Sequence, residues 1–280
     1  MKRKLLRKII LFSLISFFSV SAQSQLSAQF DYANTLYNTG NFFDAITEYK
    51  RLIFFDSTKI FYYRSTFQIG KCYKAGAKFD DAIKYFSISE LNASNDDERF
   101  NSIIENVRCN LLRKTTARAH QLLNEMESKF AGLESKNAID YWRGWAYMFE
   151  NDWKNAALSF AQISPNHQLK LLCDKIEMEK VSVTFATVIS YILPGAGQIY
   201  TGNFLSGFLS LGWNVLAAYL TINAFNAERV LDGITILTLL WHRFYRGNIQ
   251  NAHDFAVSKN IELANRTLIY LQNQFKGTKP

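Results

Sequence analysis

Few side chains of this 280-residue chain could act in catalysis or bind a metal, and they are scattered along it. Gly195 and Gly197 are followed by Gly202, but a dinucleotide-binding turn needs G-x-G-x-x-G after a strand, and a phosphate loop needs Lys followed by Ser or Thr. His242 and His253 could share one helix face, yet no third metal ligand lies nearby in the sequence. Neither H-E-x-x-H nor G-x-S-x-G occurs. We therefore expect no catalytic residue, no cofactor and no metal.

The three cysteines offer thiol chemistry only if they pair. Cys72 and Cys109 are 37 residues apart. If they occupy equivalent places on stacked helices, the helix axes would be about 8–10 Å apart. That separation suits a disulfide poorly. We expect both to be small buried core residues, which leaves Cys173 unpaired.

The spacing of 37 residues organises most of the N-terminal half. It separates four alanines, Ala45, Ala82, Ala119 and Ala156, and each is followed four residues later by a large residue: Tyr49, Phe86, Leu123 and Phe160. Twelve residues before the alanines are Ala33, Gly70, Val107 and Gly144. Three residues after this second set are Leu36, Tyr73, Asn110 and Tyr147. Small residues let two helices approach, and an aromatic ring one turn later fills the space beside them. We expect each unit to be two antiparallel helices, with turns at Gly40, Gly76 and Asn151–Asp152.

This G/A-x-x-Y…A-x-x-x-F/Y pattern resembles the tetratricopeptide repeat, whose usual period is about 34 residues. The resemblance covers roughly Leu26 to Cys173, although the third unit has lost the Gly and the Tyr. It implies a right-handed superhelix of helical hairpins whose concave side binds peptides or protein segments, without catalysis. We therefore predict an all-α fold, a tetratricopeptide-like solenoid followed by a small helical membrane domain.

The first helix of each unit should line the concave face, if the architecture of that family applies. The candidate exposed residues for binding a partner are Tyr37, Arg64, Lys71, Lys74, Arg108 and Trp145. Basic side chains flanked by aromatic rings could bind an acidic peptide or a C-terminal carboxylate. The alternative is that these Lys and Arg side chains only solvate an exposed face.

The N-terminus has the order of a secretory signal peptide. Five basic residues precede an apolar stretch from Ile9 to Val20, and the short side chains of Ser21 and Ala22 follow. An uncleaved anchor, the alternative, would need roughly 20 apolar residues. Removal of residues 1–22 would lower the formal net charge from +8 to 8 − 5 = +3, so charge gives no reason to expect a nucleic-acid partner.

A long uncharged stretch from Val181 to Ala227 predicts a membrane domain. Phe204 to Phe225 is long enough to span a bilayer, whereas Val230 to Trp241 and Val181 to Leu193 are shorter. The number of membrane spans is therefore two or three. A two-helix hairpin would put Arg243 and the C-terminus in the periplasm, against the positive-inside tendency, and three spans would put them in the cytoplasm.

The membrane part opens with a proline- and glycine-rich motif that has a partial echo 45 residues later. The motif residues are Pro194, Gly195, Gly197, Gln198, Tyr200, Gly202 and Asn203, and the echo consists of Tyr245, Gly247 and Asn248. Proline ends a helix, and glycine permits tight turns and close packing. A true echo would place two equivalent segment ends at one membrane surface; chance similarity is the alternative.

The P-G-x-G-Q-x-Y-x-G string resembles the start of a small domain in bacterial two-transmembrane-helix (TM-two-like) families. The resemblance covers about Val188 to Asn260 and implies no established mechanism. We expect a signal peptide (1–22), a repeat domain (23–179), a membrane domain (180–254) and an amphipathic tail (255–280).

The leading functional hypothesis is a periplasmic protein-interaction scaffold or adaptor anchored in a bacterial inner membrane. Its partners would be a protein or peptide and the lipid bilayer. The alternative is a membrane-embedded component of a transport or envelope-assembly complex, in which the repeats are accessory.

Overall fold

The computed structural model describes residues 24–130 and 132–280, which form helices and turns with no strand among them. The all-α prediction is therefore confirmed for this part of the chain. The predicted signal peptide lies outside the described residues. The chain divides into two compact units, and the division falls between Lys170 and Leu171. This boundary falls inside the helix Gln168–Glu179.

The first unit consists of four consecutive helical hairpins. Their helices are α1 (residues 24–38), α2 (Phe42–Phe55), α3 (Tyr62–Ala75), α4 (Phe79–Leu91), α5 (Asp96–Leu112), α6 (Thr116–Lys129), α7 (Leu133–Phe149) and α8 (Trp153–Ile163), and α9 (Gln168–Glu179) follows. The second helix of each hairpin packs against the first helix of the next, so adjacent hairpins share their apolar faces. In addition, α5 contacts α7 directly.

The residues that repeat every 37 positions form the core of these hairpins. The four alanines and the four large residues one turn later are all fully buried: Ala45, Ala82, Ala119 and Ala156 with Tyr49, Phe86, Leu123 and Phe160. Gly70 and Gly144 face the rings of Phe86 and Phe160 so closely that a Cβ would stand 2.7 Å and 2.5 Å from the nearest ring atom. The repeated pattern is therefore a packing pattern, as predicted.

The turns inside the four hairpins are equivalent. Gly40, Ala77, Lys114 and Asn151 all have φ between 56° and 81°, and they are spaced by the same 37 residues. The next amide along the chain donates to a carbonyl five residues back, at 2.8–2.9 Å in every hairpin. In the second hairpin the left-handed residue is Ala77, whereas Gly76 has φ −81°, one position away from the expected turn centre.

Replacing Ala77 or Lys114 with glycine should stabilise the first unit. A left-handed conformation costs an L-residue about 1–2 kcal/mol, and the greater flexibility of unfolded glycine offsets about half of this. We expect a gain of about 0.5–1 kcal/mol for each substitution, measured as the urea midpoint of the full-length protein in detergent. Gly40→Ala makes the reverse change, from glycine to an L-residue with a side chain, at the equivalent turn of the first hairpin. A Cβ there would have nothing within 4 Å, so only the backbone conformation is tested. A lower midpoint for Lys114→Gly would contradict this account of the turn.

The second unit contains a long helix with shorter helices packed along it. Its elements are α10 (Val183–Ile192), α11 (Ala196–Tyr200), α12 (Phe204–Asn226), α13 (Val230–Thr235), a π-helical segment (Ile236–Trp241) and α14 (His242–Asn273). The last three follow one another without a break, and α14 continues across the expected boundary at residues 254–255. α10 runs antiparallel to α14, because Val181 bonds to Asn260 and Ser190 bonds to Asn248.

Candidate functional site

A groove of about 790 Å³ crosses the first helices of the first three hairpins. We call it the repeat groove. Its walls carry aromatic rings (Phe30, Tyr37, Tyr63, Phe67), amides (Asn34, Asn38, Gln68, Asn101) and charged groups (Arg64, Lys71, Glu98, Glu105). Three of the six predicted partner-binding residues, Tyr37, Arg64 and Lys71, therefore line one cavity.

Two cations in the repeat groove lie over aromatic rings. The Arg64 guanidinium is 5.1 Å from the centre of the Phe30 ring, and the Lys71 ammonium is 5.0 Å from the centre of the Tyr37 ring. Such contacts contribute about 0.5–1 kcal/mol at exposed sites and hold the cation in place. Burial raises the pKa of Tyr37, so its hydroxyl stays protonated at neutral pH. Neither cation forms an ion pair with a described residue, which leaves both charges available to a ligand.

Lys74 and Arg108 are less available, because both pair with Glu105. The Lys74 ammonium lies 3.0 Å from a Glu105 oxygen, Arg108 bonds to the other oxygen, and the side chains of Lys74 and Glu105 are each 14% exposed. Burial lowers the pKa of Lys74, and the Glu105 carboxylate opposes that shift. The sequence prediction omitted Glu105. Its position three residues before Arg108 on α5 was the signal that could have indicated the pair.

The expectation that Trp145 is exposed is wrong. Its side chain is 3% exposed, and Trp142, one turn earlier on α7, is 4% exposed. In the earlier hairpins the corresponding face of the first helix is open. In the fourth hairpin this face is covered, because α5 contacts α7 directly. The guanidinium of Arg108 on α5 lies 5.1 Å from the centre of the Trp142 ring, which closes this part of the face.

The proline- and glycine-rich motif of the second unit is built around one buried side chain, Asn248. Its Oδ1 accepts hydrogen bonds from the Gly195 amide (2.7 Å), Gln198 Nε2 (3.1 Å) and the Ser210 hydroxyl (3.0 Å). Its Nδ2 donates to the Ser190 carbonyl at 2.9 Å. These bonds join α10, α11, α12 and α14. We call this set of five residues the Asn248 cluster.

Two motif glycines are required by the packing around this cluster. Gly195 has φ +92°, and a Cβ on it would stand 2.1 Å from the Gly207 carbonyl oxygen. A Cβ on Gly197 would stand 2.2 Å from the Ala186 carbonyl oxygen. Gly202 has φ +89° and occupies the turn before α12, while Pro194 follows the end of α10 as predicted. Gly247 differs, because nothing lies within 4 Å of the Cβ position.

The two copies of the Tyr-x-Gly-Asn pattern are not equivalent in the structure. The Tyr200 hydroxyl accepts from the Ser182 amide at the start of α10, and the Tyr245 hydroxyl donates to the Tyr191 carbonyl near its end. α10 has 10 residues, so these contacts are separated by about 15 Å. The asparagines differ too: Asn203 donates to the side chain of Thr201, two residues away, whereas Asn248 is buried between helices. These differences favour chance similarity over a true echo, which would place two equivalent segment ends at one membrane surface.

All three cysteines are buried and free. Burial raises the pKa values of Cys72 and Cys109 to about 12, so both stay protonated thiols. Their predicted place in the core is confirmed. Within residues 24–130 and 132–280, no group of three or more His, Cys, Asp or Glu side chains is arranged to hold a metal ion.

One described helix, α12, is long and apolar enough to cross a membrane by length and composition. Its 23 residues correspond to about 35 Å. Most of its large apolar side chains are exposed: Phe204, Leu205, Phe208, Leu209, Trp213, Val215, Leu216, Tyr219, Leu220, Ile222 and Phe225. α10 is also apolar, but at about 15 Å it reaches only half of a hydrocarbon core of about 30 Å.

Comparison with known proteins gives no relative: no protein-family model matches the chain, and neither a curated protein nor a solved structure does. The features of the chain that bear on function are the repeat groove, the Asn248 cluster and helix α12.

Proposed function

We propose that this protein is a membrane-anchored scaffold whose repeat groove binds an acidic segment of a partner protein. The hairpins of the first unit form a tetratricopeptide-like solenoid in the bacterial periplasm, and the second unit holds the chain in the inner membrane. The observation that carries the proposal is the repeat groove, in which the cations Arg64 and Lys71 lie over aromatic rings and form no ion pair with a described residue.

The chemistry of the groove suits an extended acidic peptide. The Asn38 amide can bond to peptide groups, since an amide both donates and accepts. Asn34 can still donate through its Nδ2, although its Oδ1 already accepts from the Tyr49 hydroxyl at 2.6 Å and from Gln68 Nε2 at 3.4 Å.

Of the acidic groups of the groove, Glu105 pairs with two cations, whereas Glu98 accepts from the Ser94 amide at 2.8 Å and keeps its negative charge. Arg64 and Lys71 outweigh the single charge of Glu98, so the charge left for a ligand is positive overall.

The solenoid assignment is supported by the equivalence of the four hairpins. The same alanine, the same large neighbour and the same left-handed turn recur every 37 residues. Hairpins related in this way bury continuous apolar faces between neighbours, whereas a single hairpin could not. First helices of successive hairpins then form one surface, which is where the repeat groove lies.

The anchoring role is supported by the exposed apolar side chains of α12. Such a surface is unfavourable in water and favourable in lipid. Because α10 is too short to cross, the geometry favours a hairpin of α12 with the continuous α13–π–α14 helix over a third span. The charged residues Glu228, Arg229 and Asp232 lie at the turn of this hairpin, where a polar tip would meet water.

Reversing the charges of Arg64 and Lys71 should weaken the binding of acidic peptides. We expect the double substitution Arg64→Glu, Lys71→Glu in the full-length protein to lower the affinity for a fluorescent ten-residue glutamate peptide by about tenfold or more. A tenfold loss of affinity corresponds to about 1.4 kcal/mol. The measurement is fluorescence anisotropy in detergent at several salt concentrations, because exposed charge pairing weakens with salt. Copies of the peptide with a free and an amidated C-terminus show whether the terminal carboxylate contributes.

The matched control reverses Lys84 and Lys154, which are exposed on the second helices α4 and α8. Their reversal changes the net charge equally and should leave binding nearly unchanged. Equal weakening by both pairs, or equal binding of an uncharged glutamine peptide, would contradict a specific site in the repeat groove.

The second candidate function is that of a membrane-embedded component of a transport or envelope-assembly complex. The polar Asn248 cluster favours it, because buried polar groups beside a membrane helix are costly and often functional. Complementation of a gene deletion separates the two functions. If the Arg64→Glu, Lys71→Glu protein restores growth or envelope integrity as fully as the wild type, the scaffold proposal fails and the membrane role is favoured.

A further inference from the structure

A second groove, of about 580 Å³, lies between α12 and α14 in the second unit. We call it the membrane groove. Part of its wall is apolar, formed by Leu205 and Leu209 and by the rings of Trp213 and Phe244, which stack at 5.3 Å with an angle of 15°. This wall continues the exposed apolar surface of α12. The groove therefore opens where the proposed membrane contact lies.

The rest of the wall is polar and includes two groups that lack partners. Arg243 lines the groove and forms no ion pair or hydrogen bond with a described residue. Asn214 also lines it and is 3% exposed; its Nδ2 donates to the Ser210 carbonyl at 2.8 Å, but its Oδ1 has no partner among the described residues. A buried acceptor without a donor is unfavourable, so a ligand donor that reaches Oδ1 through a small shift of the Asn214 side chain gains affinity here.

Gly247 supplies an independent observation. It is in the interior of α14, where glycine is less favourable than alanine by roughly 1 kcal/mol in a helix. No tight contact requires it, because a Cβ would find nothing within 4 Å, and its φ is not left-handed. Gly247 nevertheless lines the membrane groove. Because Gly247 has no side chain, it leaves open space inside the groove.

We propose that the membrane groove binds one phospholipid whose headgroup carries a phosphate and a hydrogen-bond donor. The Arg243 guanidinium binds the phosphate, Asn214 Oδ1 accepts a hydrogen bond from the headgroup, and the apolar wall covers adjoining hydrocarbon. A free anion would gain nothing from that apolar wall. This inference rests on the proposed membrane anchoring.

The test uses full-length protein reconstituted in nanodiscs of phosphatidylglycerol and phosphatidylcholine in equal parts. Phosphatidylglycerol retained on the released protein is counted by native mass spectrometry. We expect one retained molecule per chain for the wild type. Arg243→Gln, which removes the charge, and Gly247→Leu, which fills the groove, should each reduce retention about tenfold or more. The second variant tests the site without touching a packed contact.

Two matched controls accompany these variants. Arg246→Gln removes an exposed charge one turn further along α14, and Gly212→Leu adds the same side chain at a glycine of α12 that also has nothing within 4 Å; neither residue lines the groove. Both should retain the lipid. Loss in all four variants, or in none, would overturn the proposal, as would displacement of the lipid by millimolar inorganic phosphate.

Flotation of the wild-type protein with vesicles separates failure of this inference from failure of the anchoring proposal. A protein that floats but retains lipid equally in every variant contradicts only the lipid site. A protein that does not float contradicts both.

Discussion

Asn248→Ala should destabilise the second unit by about 3–4 kcal/mol. The substitution removes four hydrogen bonds at once and leaves the Gly195 amide and the Ser190 carbonyl without their partner. Each buried polar group left unpaired costs about 1–3 kcal/mol, and the loss is moderated where a second partner remains. Gln198 is such a case, since its Nε2 keeps the hydrogen bond to the Asn248 backbone carbonyl.

The measurement is thermal unfolding of full-length protein in detergent, followed by near-ultraviolet circular dichroism, together with limited proteolysis of the second unit. Asn265→Ala is the matched control, since Asn265 is an exposed asparagine on the same helix. It should change stability by less than about 0.5 kcal/mol. If Asn248→Ala were as mild as the control, the Asn248 cluster would not be what joins the four helices.

Gly144→Ala should destabilise the first unit by about 1–3 kcal/mol, although alanine is the better helix former. A Cβ at Gly144 would stand 2.5–2.7 Å from three atoms of the Phe160 ring. That ring cannot move aside easily, because it is fully buried, stacked on His167 at 5.2 Å and in edge contact with Tyr141 at 5.8 Å. The expected signal is a lower urea midpoint for the first unit.

Two further variants make this prediction specific. Gly76→Ala places a Cβ 3.5 Å from the Cys72 carbonyl oxygen, an ordinary contact at a negative φ, and should have little effect. Phe160→Leu in the Gly144→Ala background should recover part of the loss, because a smaller side chain leaves room for the methyl group. Strictly additive losses in the double variant would show that the two residues do not compete for the same space.

Much of the first unit could be predicted from the sequence, since its packing repeats. A buried alanine and a buried large residue one turn later recur in each hairpin, so a spacing of 37 residues reveals the pattern. Even the third hairpin, in which Asn110 replaces the usual Tyr, keeps the geometry. There the Thr115 hydroxyl donates to the backbone and side-chain oxygens of Asn110 at 3.0 Å and 2.8 Å.

The candidate sites were predicted less completely. Tyr37, Arg64 and Lys71 line the repeat groove, but pairing with Glu105 partly neutralises Lys74 and Arg108, and Trp145 is buried. Side-chain type and helix register do not tell whether a neighbouring first helix covers a position. In the fourth hairpin that cover comes from the contact of α5 with α7.

The helical class, the 37-residue unit and the apolar length of α12 can be predicted from the sequence, because each is a pattern of residue types along the chain. Which polar groups find partners depends on the tertiary structure. The Asn248 cluster joins residues separated by 38 to 58 positions, and the membrane groove pairs α12 with α14. These contacts depend on how whole helices pack, so a motif of similar appearance, such as Tyr200–Asn203 and Tyr245–Asn248, can have two different roles.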